Sequence, residues 1–255
     1  MKNPKNILIS GAGSGIGRAL AISYSAPSVN LFFCGRDEKK LRETKFLCET
    51  LKANVSYEIL DVCDELLVKN WIEKIEKNYP LDLVIANAGI SAGTAGGPES
   101  FAQVKKIFST NLDGVLNVIY PAIEKMRERK KGQIAIISSL AGMRGLPSSP
   151  AYSGSKAAVR VYGEALRGNL APLGIEVNVV CPGYVKTPMT DVNEFPMPFL
   201  ISAEKCAEII KRDLEKNKSR IAFPFPLYFV VWLAALLSTK ITDPIFAKLP
   251  GKKGL

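Results

Sequence analysis

The sequence of 255 residues contains no histidine. This absence excludes Ser-His-Asp triads, histidine general bases and ordinary zinc sites together. A proton donor must therefore be a tyrosine, lysine, cysteine, aspartate or glutamate, and we predict no metal site. The five cysteines are widely spaced and form no C-x-x-C pair. We expect them to be reduced, mostly buried thiols of a cytoplasmic protein rather than a disulfide framework.

We also expect neither a secretory signal nor a nucleic-acid-binding surface. Only three apolar residues, 7–9, stand before Ser10, which is too few for a signal peptide. The net charge is +10, yet no basic cluster with interleaved aromatic residues occurs, so we predict no nucleic-acid partner. Residues 204–255 hold ten basic and five acidic residues. This C-terminal segment therefore carries half of the net positive charge.

Short apolar runs alternate with longer helical patterns along the chain. We predict strands at 7–10, 30–34, 55–60, 83–86, 133–138 and 175–180, and helices ending near 25 and spanning 38–51, 64–78, 101–126 and 151–170. This alternation predicts the α/β class, with one Rossmann-type, doubly wound parallel sheet flanked by helices. The length suits a single catalytic and cofactor-binding domain over 1–220, followed by an apolar C-terminal extension over 221–255.

A glycine-rich turn follows the first predicted strand. Glycines at 11, 13, 15 and 17 give the spacing G-x-x-x-G-x-G, and Ile16 stands where the pattern G-x-G-x-x-G needs a glycine. Glycines let backbone N–H groups approach a pyrophosphate, and the helix N-terminus adds about half a positive charge. Because the turn lies between a strand and a helix, it predicts a dinucleotide site rather than a merely tight turn.

The end of the second strand indicates which dinucleotide binds. An acid there would accept hydrogen bonds from the adenosine ribose and repel a 2′-phosphate. The sequence has Gly35 and Arg36 instead, with Asp37 one step further on. Arg36 can pair with a 2′-phosphate through a charge-assisted contact. We therefore predict NADP(H) in preference to NAD(H).

Tyr152 and Lys156 lie four residues apart in a predicted helix, and Ser139 lies thirteen positions before Tyr152. The four-residue spacing places the phenol and the ammonium on one helix face. The ordinary pKa of tyrosine is about 10. One positive charge about 4 Å away contributes about 4 kcal/mol at an effective dielectric constant of about 20, which lowers a pKa by about three units. We predict that Lys156 lowers the pKa of Tyr152 in this way.

These motifs occur in the order and spacing of a known family. The glycine turn, Asn87-Ala88-Gly89, Asn111, Ser139 and the Tyr152/Lys156 pair are followed by Pro182-Gly183 and Thr187. Over about residues 5–190 the chain resembles the short-chain dehydrogenase/reductase family. Two positions depart from the family pattern: Ser10 replaces a threonine and Ala86 replaces the first asparagine of N-N-A-G. We expect neither departure to affect the chemistry.

The resemblance implies a role for each matched residue. Tyr152 is the general acid that protonates the substrate carbonyl, and Lys156 also holds the nicotinamide ribose. Ser139 donates a hydrogen bond to the substrate oxygen, and Asn111 anchors a water in the proton relay. Asp61 and Val62 flank the adenine. With Arg36 from the argument above, the predicted cofactor contacts are Gly11, Ser14, Gly15, Ile16, Gly17, Arg36, Asp61, Val62, Asn87, Ala88, Gly89, Tyr152, Lys156, Pro182, Gly183, Val185 and Thr187.

The resemblance implies an oxidoreductase that interconverts a carbonyl and an alcohol, and Arg36 predicts NADP(H) as its cofactor. We expect a homodimer or homotetramer. We expect the loops 91–98, 140–150 and 184–200 to shape the substrate site. Because residues 195–200 are apolar and rich in proline, they favour an apolar, even lipid-like substrate. The alternative is an NADP(H)-binding sensor or scaffold without significant turnover, although such a protein would not need the Ser/Tyr/Lys set.

The C-terminal extension is the segment least typical of the family. Residues 221–239 are nineteen consecutive uncharged positions. A transmembrane helix needs about twenty, but Pro224 and Pro226 leave only 227–237 as unbroken apolar sequence. The basic residues around it are Lys218, Arg220, Lys240, Lys248, Lys252 and Lys253. This pattern is typical of peripheral docking on the cytoplasmic face of a membrane, while an oligomer interface, a wall of the substrate cleft and a true span stay open.

Overall fold

Seven parallel strands form the central sheet of the computed structural model, which describes residues 1–248, 251 and 254. The strands are β1 (Asn6–Ser10), β2 (Asn30–Gly35), β3 (Asn54–Ile59), β4 (Leu83–Ala86), β5 (Gly132–Ile137), β6 (Ile175–Pro182) and β7 (Arg220–Phe223). Their order across the sheet is β3-β2-β1-β4-β5-β6-β7. The order reverses between β1 and β4, which confirms the predicted doubly wound topology. Ligands bind at such a reversal, beyond the carboxyl ends of the strands.

Helices cover both faces of the sheet. They are α1 (Gly15–Tyr24), α2 (Glu38–Thr50), α3 (Glu65–Glu76), α4 (Phe101–Phe108), α5 (Gly114–Arg129), α6 (Pro150–Leu170), α7 (Pro188–Asp191), α8 (Ala203–Glu215), α9 (Phe225–Leu236) and α10 (Thr239–Phe246). α1, α2 and α8 pack on one face, and α3, α5 and α6 on the other. In β1, Ile7 and Ile9 belong to the first core and Leu8 to the second. A strand buried on both faces needs such an uninterrupted apolar run.

Side-chain caps fix several helix starts. Asp37, Asp64 and Ser202 each accept a hydrogen bond from the backbone N–H three positions further along. A cap of this kind satisfies one of the backbone donors that the first helical turn leaves without a partner. The helices predicted to begin at 38 and 64 consequently start at Glu38 and Glu65.

The prediction of one continuous helix over 101–126 is wrong. A π-helical turn, Ser109–Asp113, separates α4 from α5. Such turns contain one extra residue per turn and occur frequently at functional sites. Here the turn holds Asn111, one of the predicted catalytic residues.

The C-terminal extension begins inside the sheet. β7 pairs with β6 from Arg220 to Phe223, so the predicted boundary between 220 and 221 cuts through a strand. α9 and α10 then leave the carboxyl edge of β7. Within the described ranges, no helix has the length and apolar character needed to cross a bilayer.

Candidate active site

A cavity of about 330 Å³ opens at the carboxyl ends of β1 and β4. It is lined by Ser139 and by these predicted cofactor residues: Gly11, Ser14, Gly15, Ile16, Arg36, Asp61, Val62, Asn87, Ala88, Gly89, Tyr152, Lys156, Pro182, Gly183, Val185 and Thr187. Gly17 and Asn111 are buried behind this lining. Residues that are far apart in the sequence therefore meet around one crevice, as the parallel topology requires.

The glycine turn fits a bound pyrophosphate. Gly11 and Gly15 have φ of +69° and +53°, a backbone region that L side chains rarely adopt. A Cβ on Gly11 would lie 2.8 Å from the backbone of Ala88, and a Cβ on Gly15 would lie 3.0 Å from Thr187. The turn can therefore approach β4 and the segment after β6 only because these positions lack side chains.

The N-terminus of α1 faces this turn. Among the described residues, no side chain caps its first turn and no acid lies in it. Its backbone N–H groups and the positive end of its dipole are thus available to an anion. Gly17 has a different role, since a Cβ there would lie 2.4 Å from the carbonyl oxygen of Gly11. It lets the helix pack against the turn.

The adenosine end of the cavity contains two basic and two acidic side chains. An Arg36 Nη1 atom lies 3.5 Å from an Asp61 carboxylate oxygen, and both side chains are about half exposed. Asp37 is turned toward α2, where it accepts hydrogen bonds from Lys40, and these bonds lower its pKa. Lys40 also lines the cavity, and it is not among the cofactor residues predicted from the sequence. Its position four residues after Arg36, in the first turn of α2, is the pattern from which a second cation at this site could have been predicted.

Ser139, Tyr152 and Lys156 lie together on the floor of the cavity. Ser139 follows β5 and hydrogen-bonds to the Tyr152 hydroxyl. Lys156 is 4% exposed, donates to the carbonyl oxygen of Ile137 at 2.9 Å, and has its ammonium 5.9 Å from the centre of the Tyr152 ring. The phenol, the hydroxyl and the ammonium therefore surround one small volume, in which a carbonyl group can be held and protonated.

The predicted lowering of the Tyr152 pKa is wrong for this structure. Burial raises the pKa of Tyr152, and the hydrogen bond with Ser139 lowers it by less. Burial also lowers the pKa of Lys156 to about 8. The four-residue spacing predicts the lowering only if Lys156 is fully protonated and both groups remain hydrated. In the fold, both groups have lost their water, which disfavours the charged form of each.

Asn111 connects three elements of the site. Its side chain accepts a hydrogen bond from the Ile90 backbone at 2.8 Å and donates to the Ile90 carbonyl oxygen and to Ser155 on α6. A Cβ on Gly89 would lie 3.1 Å from its carbonyl oxygen and 3.3 Å from Lys156 Nζ. Asn111 thus fixes the chain after β4 beside α6, the helix that carries Tyr152 and Lys156. The water that the resemblance assigns to it stays a prediction.

Ser10, predicted to be a minor departure, has a structural role. Its buried hydroxyl accepts hydrogen bonds from the backbone N–H groups of Asn87 and Ala88, both at 3.0 Å. The Asn87 amide in turn donates to the carbonyl oxygens of Ser10 and Gly11. These bonds join the ends of β1 and β4 on either side of the crevice. Since serine supplies the hydroxyl that threonine would, the substitution preserves the connection.

The comparisons with known proteins agree with this geometry. The sequence profile described as short chain dehydrogenase matches residues 5–195. The chain belongs to the short-chain dehydrogenase/reductase family. It is 32% identical to an uncharacterized oxidoreductase of Myxococcus xanthus over 96% of this chain and 97% of that protein. It is 35% identical to the 3-oxoacyl-(acyl-carrier-protein) reductase FabG of Rickettsia typhi over 73% and 75% of the two chains.

A solved structure has a similar fold. The protein ElxO with NADP bound superposes with a TM-score of 0.76 at 28% identity, covering 86% of this chain and 97% of that one. As a short-chain dehydrogenase/reductase, this protein is an oxidoreductase that acts on CH–OH and C=O groups of a small molecule with a nicotinamide dinucleotide. The predicted family and reaction class are confirmed.

Proposed function

We propose that this short-chain dehydrogenase/reductase is an NADP(H)-dependent carbonyl reductase, also able to run the reverse alcohol oxidation, and that its substrate is apolar and lipid-like. The observation that carries the reaction is the group formed by Ser139, Tyr152 and Lys156 on the cavity floor. A bound nicotinamide would supply or accept the hydride. The protein's own residues have to orient the carbonyl and deliver the proton.

The pKa directions favour reduction. Because burial raises the pKa of Tyr152, the phenol holds its proton at neutral pH, which is the form a general acid needs. Ser139 orients the carbonyl oxygen toward that proton. Lys156 is protonated below a pH of about 8 and can then stabilise the phenolate that remains.

Replacing Tyr152 by phenylalanine tests the proton donor. We expect the Tyr152→Phe variant to lose turnover by a factor of at least about 100, because it lacks the hydroxyl but keeps the ring. NADPH binding, measured by fluorescence titration, should stay within a few-fold of the wild type. Tyr162→Phe, on the same helix and away from the cavity, is the matched control. Normal turnover by Tyr152→Phe would contradict the mechanism.

The preference for NADP(H) rests on Arg36 and Lys40. Both line the adenosine end of the cavity, while Asp37 is occupied as the cap of α2. A 2′-phosphate placed there would contact the two cations, and charge-assisted hydrogen bonds of this kind contribute about 1.5–3 kcal/mol each.

Substitution of Arg36 tests this preference. We expect Arg36→Asp to reduce kcat/KM for NADPH by about 10- to 100-fold and to leave NADH use nearly unchanged. Arg42→Asp, at an exposed position of α2 where Arg42 pairs with Glu38, is the matched control and should not alter the ratio. If the NADPH/NADH ratio of Arg36→Asp equals that of the wild type, Arg36 does not contact the 2′-phosphate.

The apolar substrate is inferred from the loop over 184–200. Tyr184 and Phe195 contact each other edge to face, and Val192, Phe199 and Leu200 are exposed near the carboxyl edge. A series of unbranched aldehydes or ketones tests this inference. If chain carbons are buried on binding, kcat/KM should rise by about fourfold per added methylene. No dependence on chain length would contradict an apolar substrate site.

The cytoplasmic location and the homodimer or homotetramer stay predictions. The burial of Cys34, Cys48, Cys181 and Cys206 as free thiols suits a reducing compartment. Light scattering of the purified protein would measure the assembly directly.

A further inference from the structure

The two C-terminal helices, α9 and α10, present an apolar surface to solvent. No residue of α9 is buried, and one side of it, through Leu227 and Tyr228, packs against Leu140 at the carboxyl edge of the sheet. The large apolar residues on the remaining side are between 40% and 71% exposed: Phe225, Phe229, Val230, Trp232, Leu233, Leu236 and Leu237. A continuous exposed apolar surface of this kind marks an interaction site, whereas single exposed apolar residues occur on most protein surfaces.

The exposed residues of α9 form two adjacent rows. At about 100° per residue, Phe225, Phe229, Trp232 and Leu236 make one row and Val230, Leu233 and Leu237 the other, and together they span about 160° of the circumference. The rings of Phe225, Phe229 and Trp232 follow one another at centroid distances of 6.2 and 6.1 Å. A single partner helix would cover a stripe of about 100°. The exposed apolar face of α9 is wider than this stripe, so a broad surface covers it better than a single helix does.

α10 follows α9 directly along the chain and adds further exposed apolar side chains and charge. Ile241 and Ile245, one turn apart, are 56% and 61% exposed. Lys240 and Lys248 are exposed at the two ends of the helix. Residues 221–255 contain four lysines and a single acid, Asp243. The acid is paired with Arg144 of the loop after β5, and Lys252 and Lys253 lie outside the described residues. The C-terminal segment that carries these apolar residues therefore has a net positive charge.

We propose that α9 and α10 dock this face on the surface of an anionic lipid bilayer. The aromatic and aliphatic rows would enter the boundary between headgroups and acyl chains, and the lysines would contact the anionic headgroups. A helix of twelve residues is about 18 Å long, shorter than the hydrocarbon core, so it lies in the interface and does not span it. A second copy of the same surface would bring like charges together, which disfavours self-association through this face.

The inner side of α9, opposite the docking surface, lies beside the cavity. A Cβ on Gly183, which lines the cavity, would lie 3.0 Å from Leu227 of α9. Arg144, which holds α10, belongs to one of the loops predicted to shape the substrate site. A protein docked in this way would hold its cleft close to the bilayer surface, with α9 between the two. Uptake of an apolar carbonyl compound from the membrane rests on the proposed function, whereas the docking itself does not depend on the reaction.

Vesicle binding by the full chain tests the proposal. The protein is sedimented with vesicles of phosphatidylcholine alone or mixed with phosphatidylglycerol. We expect binding to the mixed vesicles that weakens with salt. Phe229→Glu combined with Trp232→Glu should reduce the partition coefficient by about 100-fold or more. The control combines Phe46→Glu with Leu66→Glu, two apolar residues of α2 and α3 that are more exposed than Phe229 and Trp232, and it should bind as the wild type does.

The charge requirement is tested separately. Lys240→Glu combined with Lys248→Glu should weaken binding to phosphatidylglycerol-containing vesicles by about tenfold or more and should matter little for neutral ones. Lys52→Glu combined with Lys77→Glu changes the net charge equally at exposed positions far from the tail and is the matched control. If both double variants lose binding equally, the attraction comes from net charge, and the assignment to α9 and α10 is overturned.

Tryptophan fluorescence of the wild type gives a test that needs no variant. The chain has two tryptophans, of which Trp71 is 7% exposed and Trp232 is 40% exposed. Addition of mixed vesicles should shift the emission to shorter wavelength, and lipids brominated along the acyl chain should quench it. Trp232→Phe should abolish both responses. Absence of a shift and of quenching in the wild type overturns the proposal.

An interface between copies is the main competing outcome. If the Phe229→Glu and Trp232→Glu combination lowers the mass measured by light scattering and the wild type does not bind vesicles, the face joins two copies and the proposal fails. NADPH titration of every variant establishes that it is folded. Because no readout of these experiments uses turnover, a failure of docking and a failure of the proposed reaction are recognised independently.

Discussion

Lys156 is a buried cation whose environment the sequence does not reveal. The spacing to Tyr152 on α6 correctly places both side chains toward the cavity. The helix also packs on the sheet, where the Lys156 ammonium donates to the Ile137 carbonyl oxygen. One neutral acceptor does not replace the lost water, so the protonated form is disfavoured. The same burial acts on the phenol in the opposite direction and keeps it protonated.

The titration of Lys156 can be measured directly. We expect its pKa to lie near 8, against about 10.4 for exposed lysines. Lys156 is charged below this pH and loses its proton above it, so the rate of carbonyl reduction should decline as the pH rises through 8. NMR of protein labelled at the lysine Cε carbons would follow the proton.

The Lys156→Met variant identifies the Lys156 signal, because this variant should lack the resonance that titrates near pH 8. Lys69→Met, at an exposed position of α3, should leave the resonance in place. A Lys156 midpoint equal to that of the exposed lysines would show that burial does not control its charge.

At the scale of elements, the uncharged run over 221–239 contains two different structures. Its first residues belong to β7, in which Ile221 is 1% and Phe223 is 6% exposed. The later residues form α9, which has no buried residue. The sequence alone shows only that the run is apolar, and both a buried strand and an exposed helix satisfy that description. Pairing with β6 decides where one ends and the other begins.

A matched pair of substitutions distinguishes the two parts. Ile221→Ala should lower the free energy of unfolding by about 2–5 kcal/mol, because it leaves a cavity in the core. Ile241→Ala, the same change at a position 56% exposed on α10, should stay within about 0.5 kcal/mol of the wild type. Urea unfolding followed by circular dichroism measures both. Equal effects would mean that β7 is not part of the folded sheet.

The π-helical turn at Ser109–Asp113 is a second element that the pattern does not reveal. The apolar periodicity of 101–126 is compatible with one straight helix. The extra residue is stabilised by contacts from elsewhere in the chain, namely the hydrogen bonds of Asn111 with Ile90 and Ser155. A local pattern cannot report such a turn, because its stabilising partners lie 21 and 44 positions away.

At the scale of the whole molecule, the free cysteines report the packing of the sheet. Cys34, Cys48, Cys181 and Cys206 are buried, and Cys63 is exposed. Burial raises the pKa of the Cys34 and Cys206 thiols to about 12, so almost none of the reactive thiolate is present at neutral pH. Cys63 directly follows Val62, a lining residue of the cavity.

We expect an alkylating reagent to modify Cys63 in the native protein and all five cysteines after unfolding. If Asp61 and Val62 flank the adenine, saturating NADPH should slow the modification of Cys63. Mass spectrometry of the intact protein and of its peptides gives the stoichiometry and the site. The Cys63→Ser variant is the control and should resist native modification. Rapid native labelling of any of the other four thiols would contradict the packing.

The sequence by itself determined the fold class, the positions of the six strands before β7, the family, and the meeting of Ser139, Tyr152 and Lys156 at one cavity. Apolar runs, glycine spacing and helix caps involve residues that are close together in the sequence, so they can be recognised from the sequence alone. The tertiary structure alone decided the direction of the Tyr152 pKa, the capping role of Asp37, the turn that holds Asn111 and the exposure of α9. Each of these depends on desolvation or on partners distant in sequence, and such effects exist only when the chain has folded.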